Sequence, residues 1–216
     1  MKRILHAIVM ISMLTLVTVY AQAQVIVSSK NNVFVSDSWT WTYQAQLSTS
    51  SELDSNGAVP NVLLTTTDMM PTGTYKDYFT IYDFDGFLPG SNFQPANFDF
   101  ISQNVGPTPG RIAELTDDPN IPNLTWFYTG PTMTGPQILS FFGAKSSIGE
   151  MRRSIVAVDS TMHNKYTSPP DGYVSQSLRN IYVPGPADII LTPEPSTFLL
   201  LGAGVAGLAF WRRRKQ

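Results

Sequence analysis

The stretch "WTWTYQAQL", residues 39–47, has the clearest local pattern in the chain. Aromatic and aliphatic side chains occupy every second position, and threonine or glutamine occupies each position between them. Because successive side chains of a β-strand point to opposite faces of its sheet, this period of two predicts a strand with one buried and one solvent-facing side. The pattern therefore favours a β-sheet protein.

Other stretches of the chain have the same character. The segments "DYFTIYDF", residues 77–84, and "LTWFYTG", residues 124–130, are rich in aromatic and β-branched residues and end at Gly or Pro turns. About ten short strands with such punctuation indicate an all-β fold, an antiparallel β-sandwich of the jelly-roll or immunoglobulin-like kind. One short helix is predicted near residues 135–139. Weaker strand predictions cover residues 33–35, 62–66, 98–103, 111–115, 138–142, 154–159, 178–183 and 189–191.

The first 23 residues have the features of an export signal. Lys2 and Arg3 precede an apolar stretch over residues 4–20, and small residues follow at Ala21 and Ala23. This order predicts a secretory signal peptide, residues 1–23, that is cleaved after Ala23. An uncleaved N-terminal anchor is the alternative interpretation. In both cases residues 24–191, predicted to form the β-sandwich domain, are exported.

The last 25 residues carry a second targeting pattern. Residues 197–211 contain no charged side chain, and a basic cluster follows at once. An apolar segment with a basic end is typical of a transmembrane helix whose basic side stays in the cytoplasm. The tripeptide Pro193-Glu194-Pro195 precedes the segment, and the basic cluster begins with Arg212, Arg213 and Arg214.

This order of features resembles the PEP-CTERM sorting signal of exported bacterial proteins, and the resemblance covers residues 192–216. It implies processing by an exosortase, a membrane enzyme that recognises the Pro-Glu-Pro region. It also implies transient anchoring in the inner membrane and a final location at the cell surface or in the extracellular matrix. Such proteins are associated with exopolysaccharide and biofilm matrices. We therefore expect a structural or adhesive role, with exopolysaccharide as a further partner.

The charge and the cysteine content of the chain bear on its partners and on how its fold is held together. The two targeting ends hold six of the 14 Lys and Arg residues but only one of the 16 Asp and Glu residues, Glu194. The body between them is therefore acidic, which argues against nucleic acid as a partner. The chain has no cysteine, so its core must hold the fold without disulfides.

Residues for catalysis are scarce in residues 24–191. His163 is the only histidine there, and it follows Asp159 and Ser160 closely in sequence. A catalytic triad is recognised by converging geometry rather than by sequence proximity, so a loop histidine is the preferred interpretation. We expect a protein that is not an enzyme, without catalytic residues and without a bound organic cofactor.

Two weaker patterns suggest ligands. Asp83 and Asp85 precede Gly86, an arrangement that resembles the start of a calcium loop, although a hairpin turn explains it equally well. Trp39, Trp41 and Trp126 are candidates for stacking on sugar rings, with burial in the core as the alternative. The alternative function is therefore that of a carbohydrate-binding module, with or without calcium. A polysaccharide-modifying enzyme is a less favoured alternative.

Overall fold

The structure is a computed structural model that describes residues 25–60, 75–109, 115, 117–163 and 174–187. The predicted signal peptide, the strands predicted at 62–66 and 189–191, most of the one at 111–115, and the transmembrane helix at 197–211 lie outside these residues. Within them the regular structure is entirely β. The ten strands are β1 (Val25–Val35), β2 (Ser38–Leu47), β3 (Ser51–Leu53), β4 (Tyr78–Ile81), β5 (Phe98–Gln103), β6 (Asn123–Tyr128), β7 (Met133–Thr134), β8 (Gln137–Ser146), β9 (Met151–Met162) and β10 (Val174–Pro184).

These strands form two antiparallel sheets. The smaller sheet has the order β1-β2-β8, and the larger sheet has the order β5-β6-β4-β9-β3-β7. Strand β9 is long enough to pair with β4 and then with β3 along one edge, while β10 pairs along its other edge. The prediction of an all-β protein with antiparallel sheets is confirmed.

One hydrophobic core contains residues from both sheets. The ring of Phe142 in β8 lies 4.8 Å from the ring of Phe98 and 5.0 Å from that of Phe79, both in the larger sheet. Trp126 in β6 stacks on Phe79 at 5.3 Å. Edge-to-face and offset ring pairs of this kind add stabilisation beyond the area that they bury. The aromatic residues therefore hold the two sheets together.

The alternation seen in residues 39–47 has the predicted result. Trp41, Tyr43, Ala45 and Leu47 are at most 2% exposed, and the threonine and glutamine side chains between them lie on the opposite face of β2. Strand β4 lies within the strong stretch 77–84, and β6 begins one residue before the strong stretch 124–130. Strand β5, one of the weaker predictions, has the predicted bounds. The predicted strand with one buried and one outward-facing side is confirmed at these positions of β2.

The helix predicted near residues 135–139 is wrong. Strand β8 begins at Gln137, and Gln137 and Ile138 pair with Leu47 and Gln46 of β2. Backbone groups that bond across a sheet are extended and cannot close the i to i−4 bonds of a helix. A weak local helix signal is therefore overruled by pairing with a distant strand.

The chain divides into two compact units, Met1–Pro186 and Ala187–Gln216. The first contains all ten strands named above. Of the second unit, the structure describes only Ala187, which is exposed.

Candidate functional site

Two of the three tryptophans predicted to stack on sugars lie in the core. Trp41 is 2% exposed and Trp126 is fully buried, so neither ring face is available to a ligand. Trp39 is only partly buried, and its ring lies 5.2 Å from that of Phe34 at the end of the β1–β2 hairpin. Alternation along β2 places Trp39 and Trp41 on the core-facing side, so an exposed row of tryptophans does not form.

The outer face of the smaller sheet presents a different set of side chains. The pairing of the strands places Thr42 of β2 between Asn31 of β1 and Gly143 of β8. In the same way Gln44 lies between Ser28 and Phe141. This face therefore combines hydroxyl and amide groups with an aromatic ring.

Two phenylalanines stand out on this face. Phe141 is 49% exposed, and Phe93 is 36% exposed. The backbones of Phe93 and Gly143 exchange two hydrogen bonds, of 2.9 and 3.0 Å, which bring the Phe93 ring over residue 143. A Cβ atom at position 143 would collide with the backbone oxygen of Trp41 and would also lie 2.5 Å from Cζ of the Phe93 ring, so only glycine fits there. Glycine at this position lets a second aromatic ring lie beside the open sheet surface.

An open groove of about 640 Å³ runs across this face, and its lining among the described residues consists of Lys30, Asn31, Thr42, Gln44 and Phe141. Within the part of the chain that the structure describes, no hydrogen bond occupies the side chains of Asn31, Thr42 or Gln44, and Lys30 makes no ion pair. These groups are free to contact a ligand. The arrangement suits non-covalent binding, since these five side chains include neither a nucleophile paired with a base nor an acid. This groove could not be predicted from the sequence, because only β2 of its three strands has a clear alternating pattern.

Asp83 lies in a polar cluster beside the end of β4. It adopts a left-handed backbone conformation, with φ of 54°. Its Oδ1 accepts a hydrogen bond of 3.0 Å from the backbone N–H of Asp118, and Arg152 donates to its carbonyl oxygen at 2.9 Å. The Asn123 side chain extends the cluster, because its Oδ1 accepts from the N–H of Asp83 at 2.7 Å and its Nδ2 donates to Asp117.

Burial raises the pKa of Asp83 above its ordinary value, and the Asp118 N–H and the Arg152 cation oppose that change. The pKa of Asp118 is lowered, because the backbone and side chain of Asn120 donate hydrogen bonds to it. Asp85 contributes backbone groups to this region: its carbonyl oxygen accepts a 2.7 Å hydrogen bond from Ser146. Among the residues described, no group of three or more His, Cys, Asp or Glu side chains could hold a metal ion. Calcium at Asp83 and Asp85 stays a prediction.

Asp77 is a buried carboxylate that the sequence did not single out. It is 3% exposed, and its Oδ2 accepts hydrogen bonds from the N–H groups of Asp54 at 2.7 Å and Thr161 at 3.0 Å. Its Oδ1 accepts the Thr161 hydroxyl at 3.1 Å. Burial raises the pKa of Asp77 well above its ordinary value, and the nearby Asp159 raises it further. Because these bonds join β4 to β9 and to the end of β3, the role of Asp77 is structural.

The structure does not bring Asp159, Ser160 and His163 together as a triad. Asp159 and Ser160 are neighbours in β9, so their side chains point to opposite faces of the sheet. The Asp159 carboxylate accepts a 2.8 Å hydrogen bond from Gln176. His163 instead has its Nδ1 3.3 Å from a carboxylate oxygen of Glu52.

Within the described ranges, no helix has both the length and the apolar character needed to cross a membrane.

Comparison with known proteins identifies one segment of the chain. A family model described as the PEP-CTERM protein-sorting motif matches residues 191–215. No curated protein and no solved structure matches the chain significantly. The motif indicates an exported protein that is anchored transiently in the membrane and processed there by an exosortase. The chain is thus a protein with a PEP-CTERM sorting motif.

Proposed function

We propose that this protein is a non-enzymatic structural or adhesive component of an exopolysaccharide or biofilm matrix. The match to the PEP-CTERM motif carries the proposal, because that signal is associated with bacteria that build such matrices. In this proposal the signal peptide and the transmembrane helix deliver the body, and the two sheets form a β-sandwich that acts at the cell surface or in the matrix.

The distribution of polar groups supports a binding role. The buried carboxylate of Asp77 and the half-buried Asp83 are both engaged in hydrogen bonds that hold strands and loops in place. The groove on the smaller sheet is lined instead by amide, hydroxyl, ammonium and aromatic groups. These are the groups with which proteins hold polar ligands in an open site.

The groove also favours a second candidate, a carbohydrate-binding module. Such a module would use exposed rings and amides to contact sugars, as the groove can do with Phe141 and Gln44. Assistance by calcium at Asp83 and Asp85 belongs to this candidate. A polysaccharide-modifying enzyme is less favoured, because hydrolysis of a glycosidic bond uses paired carboxylates and the described residues that line the groove include no acid.

Fractionation of a bacterium that makes an exosortase and an exopolysaccharide tests the proposed function. We expect the full chain, followed with an antibody to its body, to accumulate with the polysaccharide and to be released when a glycosidase degrades it. Release by a calcium chelator would add support for calcium assistance. Recovery of the processed body as free protein in the washed medium would contradict the matrix role.

A further inference from the structure

We propose that the outer face of the smaller sheet binds an acidic polysaccharide, with Phe141 as the stacking surface and Lys30 as the partner of its carboxylates. The inference rests on the proposed function and assigns it a site and a class of ligand. It replaces the tryptophans, which lie in or near the core, with residues that line the open groove.

The charge of this sheet differs from that of the whole chain. The chain has 16 Asp and Glu residues, yet none of them lies in β1, β2 or β8. The same three strands carry two lysines, Lys30 and Lys145, and Lys145 pairs with Thr40 on the outer side of β2. An acidic polymer would be repelled by most of the body, but along the residues of β1, β2 and β8 it meets only cations and neutral groups.

The chemistry of the groove matches a sugar better than an apolar partner. A sugar ring has C–H faces that pack on an aromatic ring and hydroxyl edges that need hydrogen-bond partners. Phe141 supplies the exposed ring, and Asn31, Thr42 and Gln44 supply free donors and acceptors across adjacent strands. Threonine and glutamine recur at every second residue of β2 from Thr40 to Gln46, so the polar row can follow several units of a linear polymer.

Binding of the full chain, purified in detergent, to beads coated with alginate tests the proposal, since alginate is a polymer of uronic acids. Dextran beads provide the neutral comparison. We expect binding to alginate that weakens as salt is added, because the Lys30 contact is screened. Phe141→Ala and Lys30→Gln should each weaken binding about tenfold, which is the effect of losing one stacking or charge contact.

Matched controls come from the other sheet. Tyr182→Ala removes an aromatic ring of similar exposure, 45%, and Arg179→Gln removes an exposed cation from β10. Both should bind alginate like the unaltered chain, and all four variants should keep its thermal unfolding temperature to within a few degrees, since surface changes have small effects.

The outcomes separate the site from the function. If the unaltered chain binds alginate and the groove variants bind equally well, the assignment of the site is overturned and the matrix role stands. If it binds dextran as strongly as alginate, the acidic class is wrong. If it binds neither alginate nor dextran, the acidic-polysaccharide site is overturned, and the fractionation experiment described above decides the matrix role on its own. If Phe141→Ala instead dissociates a dimer in size-exclusion chromatography, this face is a contact between copies of the chain, which also overturns the proposal.

Discussion

The Asp77 carboxylate joins three strands through bonds that no other residue type of its size reproduces in full. Its Oδ2 accepts two backbone N–H groups, and its Oδ1 faces the Thr161 hydroxyl. Asparagine is the closest substitute, because its oxygen can accept both N–H groups while its amide donates to the hydroxyl. Alanine would leave the three donors without an acceptor.

Asp77→Asn should change how the stability of the fold depends on pH. Because burial raises the pKa of Asp77, the folded state holds this proton more tightly than the unfolded state. Protonated Asp77 therefore adds to the free energy of unfolding at pH values below its ordinary pKa of 3.8. This contribution is lost as the pH rises through the pKa that Asp77 has in the folded state. Asp77→Asn should remove this loss, and urea unfolding at a series of pH values measures it.

Asp77→Ala is the control for the hydrogen bonds. It should lower the free energy of unfolding by about 1–3 kcal/mol below pH 3.8, where Asp77 is protonated in both states, since buried donors lose their acceptor. Like Asp77→Asn, it should lack the loss of stability that the Asp77 carboxyl causes at higher pH. An Asp77→Asn protein whose stability falls with pH as steeply as that of the unaltered chain would show that another group titrates.

The limits of sequence reasoning are also clear at single residues. Alternation correctly placed Tyr43 and Leu47 in the core, and the same rule shows why Trp41 cannot face a ligand. Phe93 and Phe141 carried no such signal. Their surroundings depend on pairing between β8 and two distant segments, which one sequence does not reveal.

At the level of elements, β1 shows why most of a strand escaped prediction, since only residues 33–35 of its 11 residues were predicted. The register of β1 against β2 shifts between Ser29 and Asn31, so Lys30 has no partner in the ladder. A bulge of this kind inserts one extra residue and reverses which side chains face the core. The period of two is therefore broken in the middle of β1, and only residues 33–35 were predicted as a strand.

The turn between β1 and β2 offers a test at the same scale. Ser36 and Asp37 both have positive φ, 49° and 66°, as a two-residue type I′ turn requires. A residue with a Cβ atom pays about 1–2 kcal/mol in that conformation, and glycine does not. Asp37→Gly should therefore raise the free energy of unfolding by about 1 kcal/mol and the midpoint temperature by roughly 2–4 °C.

Asp99→Gly is the matched control, because Asp99 is an exposed aspartate within strand β5. Glycine in a strand interior lowers stability by about 0.5–1 kcal/mol. Differential scanning calorimetry should thus show opposite shifts for the two variants. Equal shifts would indicate that the effect comes from the lost charge rather than from the backbone.

Across the whole molecule, the sorting motif and the body give separate kinds of information. The motif over residues 191–215 was recognised from local sequence alone, because a processing enzyme must read a short segment in any cargo. The fold class of the body was predicted from the alternation of apolar and polar residues. Its groove, however, forms only when β1, β2 and β8 pair in one sheet. Export and exosortase processing were therefore readable from the sequence, whereas the groove required the structure.

The sorting motif provides the last prediction. Replacing Pro193, Glu194 and Pro195 by alanine should remove the region that the exosortase recognises and should leave the apolar segment and its arginines unchanged. The variant should then stay in the inner membrane at unprocessed mass, because an uncharged segment with a basic end is retained there by its burial in lipid. Membrane fractionation with mass spectrometry of the recovered chain measures both the location and the mass of the variant.

The control is Glu150→Ala, which removes an exposed acid of the body. This variant should be processed and released as the unaltered chain is. Normal release and mass of the triple variant would show that the exosortase reads another part of residues 191–215, while retention of the Glu150 variant would trace the defect to the body.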